Sequence, residues 1–79
     1  MQHMMKLLNI QWKDKHIIVN EGKDDYTVGV FKKMDWVIDE NVYNLPIRVK
    51  IEFGEGSDVP ERIFEAESIE IKKDLRYEE

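Results

Sequence analysis

The chain has 79 residues, a net charge of −5, a hydrophobic fraction of 42% and no cysteine. That length allows one domain with a modest core, taken as residues 1–79. The missing cysteine excludes disulfides, thiolate nucleophiles and cysteine zinc sites. No apolar run approaches the roughly 20 residues that span a bilayer. Residues 1–12 lack the basic start, apolar stretch and small-residue cleavage site of a signal peptide. The sequence therefore points to a cytoplasmic protein with no membrane contact. Residues 1–40 hold six basic and seven acidic residues, and residues 41–79 hold six and ten. Phosphate binding usually needs a basic patch, and the pairs Lys32-Lys33 and Lys72-Lys73 are too short to form one. Nucleic acid is an unlikely partner on this reading.

In chain order, residues 1–4 read as a remnant of the start. Residues 4–12 fit two periods. Leu8, Ile10 and Trp12 alternate as in a strand, whereas Met4, Met5, Leu7, Leu8 and Trp12 fit one helical face. The strand is preferred, because a turn at residues 13–15 leads into the β-branched run at residues 16–19. Gly22 supplies the positive φ of the next turn. Residues 26–31 form a strand with a bend at Gly29, and residues 32–35 turn the chain into a short strand at residues 36–38. The clearest alternation lies in residues 45–53. Leu45, Ile47, Val49, Ile51 and Phe53 take one face, and Arg48, Lys50 and Glu52 take the other. Pro46 confines its end to a sheet edge or strand start.

After a loop at residues 54–60, residues 62–72 read as one strand folded back on residues 45–53. Ile51 then faces Phe64, Val49 faces Ala66, and Lys50 and Arg48 meet Glu65 and Glu67. A β-bulge near Glu67 brings Ile69 opposite Ile47 and Ile71 opposite Leu45. Residues 74–79 form a frayed, charged tail. The whole predicts an all-β fold, a small SH3-like or Sm-like barrel of five or six antiparallel strands with Ile47, Val49, Ile51 and Phe64 inside. The alternatives are an OB-like barrel and an α+β fold with an N-terminal helix.

Catalytic apparatus is missing from the pattern. His16 opens a strand without a nearby partner, and His3 lies in the start remnant. No phosphate loop, nucleophile elbow or zinc-binding H-E-x-x-H occurs, and the acids near Asp35 lack the oxygen spacing of a calcium loop. The sequence thus predicts no enzyme, no metal and no cofactor.

One stretch resembles a known family. Gly29, Phe31, Met34, Asp35, Ile38 and Val42 follow the spacing of the first motif of the Sm-like proteins. Residues 65–69 fall where that family has its Arg-Gly motif. The resemblance implies a small barrel. It also implies an RNA pocket built from a stacking side chain, an Asn and an Arg, where this chain has Val37, Asp39 and Glu65. The resemblance therefore carries the barrel and not the uridine pocket.

The functional expectation is a non-catalytic, acidic protein-binding module of accessory, adaptor or inhibitor type. A sharper form has the acids of residues 52–79 imitate nucleic-acid charge. Tyr43, Trp36, Asp39 and Glu40 are the expected contact residues, an aromatic pair ringed by acids that suits a partner with a basic surface. The alternatives are an Sm-like or OB-like nucleic-acid-binding barrel and a structural assembly subunit, so a homo-oligomer stays open.

Overall fold

The computed structural model describes residues 2–22, 24–38 and 47–77. Its N-terminal segment is a helix, α1 (Gln2–Trp12). From Met5 on, Met, Lys, Leu and Gln are good helix formers unbranched at Cβ, and Ile10 is the single β-branched residue. Met5 is buried, and Leu8 and Trp12, three and seven residues on, pack against the core on the same face. Asp14 then takes the left-handed conformation at φ 62°, which ends the helix and turns the chain.

Five strands follow: β1 (His16–Glu21), β2 (Tyr26–Trp36), β3 (Arg48–Phe53), β4 (Glu61–Glu65) and β5 (Ile69–Lys73). They form one antiparallel sheet in the order β4-β3-β2-β1-β5. A single 3₁₀ turn, Leu75–Tyr77, ends the described chain. The fold is therefore mixed α+β with an open sheet. This corrects the expected all-β SH3-like or Sm-like barrel and its OB-like runner-up, and it is the alternative with an N-terminal helix that the chain adopts.

Strand β2 runs without a break through residues 32–35, where a turn was expected. Its first half pairs with β1 and its second half with β3, and the register shifts between Phe31 and Lys33. The irregularity thus falls after Gly29, and Gly29 serves a different purpose. A Cβ built there would stand 2.5 Å from the Ser57 Cβ. Only glycine lets the loop at residues 54–60 lie that close. The loop completes β2 on the side away from β1: Val30 N donates to Ser57 Oγ, Val28 N donates to Asp58 Oδ2, and Asp58 N donates to Val28 O.

The core comprises Met5, Ile17, Val19, Phe31, Met34, Val49, Ile51, Phe53 and Phe64. Val49, Ile51 and Phe64 lie inside as their alternation predicts, but Ile47 is 55% exposed. Strand β4 pairs with β3 two residues from the expected register, with Val49 opposite Phe64 and Ile51 opposite Arg62. A slip of two keeps every side chain on its own face, so the hydrophobic pattern reads the same in both registers. The bulge near Glu67 is instead a turn at residues 66–68, after which β5 crosses to β1 and sets Ile71 opposite Val19.

Asp74 is buried, accepts from Arg76 Nε and Nη2 at 3.0 and 2.7 Å, and donates its amide to His16 O.

Candidate interaction surfaces

Several docking contacts in this fold replace a missing ladder bond with a side chain. Asn9 of α1 donates from Nδ2 to Met34 O at 2.8 Å and accepts Met34 N at Oδ1 at 2.7 Å. Its amide therefore acts like one residue of a neighbouring strand and fixes the helix beside the β2 irregularity. A polar residue on a short amphipathic helix gave no signal of this in the sequence.

The two edges of the sheet differ. At the β4 edge, the residues whose amides point outward are Glu61, Ile63 and Glu65, since Ala66 N bonds Ile47 O and the ladder alternates. The Glu65 amide is taken by Glu21 Oε2 at 2.8 Å. Arg62 reaches back to the β1–β2 turn, donating to both Asp25 carboxylate oxygens and to Thr27 Oγ1. Its guanidinium also lies 5.1 Å from the Phe64 ring centre. The bidentate Arg62 hydrogen bonds hold the Asp25 carboxyl below its usual range, and Asp25 in turn raises Arg62. Side chains thus bridge the seam that a closed barrel would fill with a ladder.

The β5 edge is plainer. Asp74 N bonds His16 O, so Lys72 and Glu70 bond β1, and the amides of Ile69, Ile71 and Lys73 point away from the sheet. Glu70 and Lys72 stand on the outer face, paired at 2.9 Å with side chains 62% and 61% exposed. That contact raises the Lys72 ammonium above its ordinary value. On the inner face, Ile69 and Ile71 border an apolar cleft of about 420 Å³ shared with Leu8, Trp12, Trp36 and Val49.

Of the expected contact residues, Trp36 is half-buried and closes β2 opposite Val49. It lines both the apolar cleft and a second hollow with Asp35, Ile38, Lys50 and Ile63. Ile38 there is 84% exposed. Tyr43, Asp39 and Glu40 lie outside the described residues. Val37 donates its amide to Arg48 O, and Glu65 ends β4.

Two further surfaces emerge from the packing. Docking α1 beside β2 gathers Lys6, Lys13, Lys32 and Lys33 around one hollow with Glu52. No single stretch of sequence contains that basic cluster. At the opposite end, the His16 ring stacks on Tyr77 at 3.9 Å, with Arg76 over Tyr77 and paired to Asp74. Arg76 holds the Asp74 carboxyl low. Each of these groups serves the others' packing. No group of three His, Cys, Asp or Glu side chains suited to a metal occurs among the described residues, and no described helix is long and apolar enough to cross a membrane.

No family model matches the chain, and neither a curated protein nor a solved structure matches it.

Proposed function

We propose that this chain is a non-catalytic assembly module that works by taking a strand of another chain onto an open edge of its sheet. The observation that carries this reading is the β5 edge, where the outward main-chain amides of Ile69 and Ile71 stand beside their own half-buried side chains. Strand addition draws affinity from main-chain hydrogen bonds and specificity from alternate side chains. An edge of this kind supplies both, whereas natural sheets normally blunt such edges. A photo-crosslinker at Glu70, used in extract of the source cell, tests the reading. A captured chain should protect the Ile69 and Ile71 amides from exchange, and Ile71→Pro should abolish the capture. Proline there removes an outward amide and no bond to β1. Capture unaffected by Ile71→Pro would refute strand addition.

A second reading rests on the lysine hollow. Lys6, Lys13, Lys32 and Lys33 form a local cationic surface on an acidic chain, and an extended polyanion such as single-stranded RNA suits it. Fluorescence anisotropy with a short oligonucleotide tests this. Binding that falls with salt and in Lys32→Glu/Lys33→Glu supports the reading, and no binding at low salt removes it.

A further inference from the structure

The β5 edge is self-complementary, and we infer that its occupant is a second copy of this chain, paired antiparallel about a two-fold axis at Ile71. This rests on the strand-addition reading and names its partner.

The argument begins with phase. An isologous antiparallel pair centred on residue 71 sets 71 against 71, 69 against 73, and 70 against 72. Ile69 and Ile71 carry outward amides, so the 71–71 pair at the axis is a hydrogen-bonded one. It gives about two main-chain bonds across the axis. Centring the pair on Glu70 or Lys72 would instead set Glu70 against Glu70 or Lys72 against Lys72, opposing like charges at the axis.

Charge follows the same phase. Glu70 of one copy meets Lys72 of the other, twice by symmetry, at the non-hydrogen-bonded positions where side chains approach most closely. Each side chain already shows the other's chemistry within one strand, since Glu70 and Lys72 share a face and touch at 2.9 Å. On the inner face Ile71 meets Ile71, and the apolar clefts bordered by Ile69 and Ile71 become continuous across the axis. The result is one ten-stranded antiparallel sheet with a helix over each half.

The β4 edge fails the same test. A pair centred on Ile63 sets Glu61 against Glu65 twice, opposing like charges. Its Glu65 amide is already spent on Glu21, and Pro60 stands just before the strand. Among the described residues, one edge is therefore closed to a second copy and the other open.

Charge exchange on the outer face tests the pairing without touching the core. Sedimentation at about 100 µM should show a dimer that dissociates on dilution. Lys72→Glu and Glu70→Lys should each raise the dissociation constant about tenfold or more, because two attractive pairs become repulsive. The Glu70→Lys variant moves the net charge from −5 to −3. General repulsion would then predict tighter association, so weakening isolates the local pair. The Glu70→Lys/Lys72→Glu double variant should restore the dimer, and far-ultraviolet circular dichroism should show all three folded. A monomeric parent overturns the inference while leaving strand addition by a different chain to the crosslinking experiment. A dimer indifferent to both single exchanges also overturns it, placing the contact on another face.

Discussion

The edges of this sheet are built from strands of the same length, yet the described contacts hold them differently. Phe64 anchors β4 at 1% exposure, Arg62 ties it to the β1–β2 turn, and Glu21 takes its last amide. Strand β5 hangs on the β1 ladder, with Ile69 and Ile71 only partly buried. An edge becomes a safe boundary when side chains satisfy its main chain and charges guard its flanks. An edge whose outward amides meet no such side chains, and whose charges alternate in sign, is left as a place of contact.

The largest test of the contrast is a pair of truncations. Phe64→Ala removes a buried ring from beneath Arg62 and should cost about 3–5 kcal/mol in urea denaturation. Ile71→Ala, on a half-buried side chain, should cost about 1 kcal/mol. Equal costs would mean that β5 is as firmly held as β4.

The loop that leads into β4 gives the next effect. Gly29→Ala would push a methyl group against Ser57 and should cost about 1–3 kcal/mol, by displacing residues 54–60 rather than β5. Amide exchange at Val30, which donates to Ser57 Oγ, should quicken in the variant while that at Lys72 stays slow.

The Arg62 clamp should be worth less. Arg62→Met keeps an apolar stem over Phe64 but leaves the Thr27 hydroxyl, on a 2% exposed residue, without its donor. The expected cost is about 1–2 kcal/mol by denaturation. Asp25→Asn should recover part of that cost when added to Arg62→Met, since it removes the carboxylate left without its partner.

Acid acts on the same clamp. Arg62 lowers the folded-state pKa of Asp25 and Arg76 lowers that of Asp74. A carboxyl with a depressed folded pKa contributes stability that is complete above the unfolded value, near 3.9, and is lost as pH falls through the folded value. Melting temperature should therefore hold above about pH 5 and fall below about pH 4. Asp25→Asn should flatten part of that fall, and an unchanged acid limb would remove the clamp from the account.

The two edges were unequally legible in the sequence. Alternation in residues 48–53 and at Phe64 identifies the inner face of β3 and β4, because one buried and one wet face impose a period of two. It does not fix which strand lies alongside. Ile69 and Ile71 satisfy a register beside residues 45–47 as well as beside β1, and the choice depends on contacts about fifty residues away. The helix was concealed for a related reason. Leu8 and Trp12 fit both periods, and what decides for α1 is Asn9 bonding Met34, a contact with no local signature. Among the expected contact residues, Trp36 does line a hollow, while the self-matching order of Glu70, Ile71 and Lys72 becomes meaningful only once β5 is known to be an edge.

The placement of β5 beside β1 also governs the order in which the molecule can be made. On the ribosome, β1 and β2 emerge early and can close their hairpin at once. Strands β3 and β4 add to the far side in sequence. The other flank of β1 has no neighbour until residues 69–73 clear the exit tunnel. Until then the nascent chain shows a second unpaired strand, with Ile17 and Val19 beneath it and no final strand to cover them. The pairing of β5 with β1 is therefore the slowest kind of step, closure of a long-range contact. The half-made sheet is most exposed to misassembly in the interval before β5 arrives.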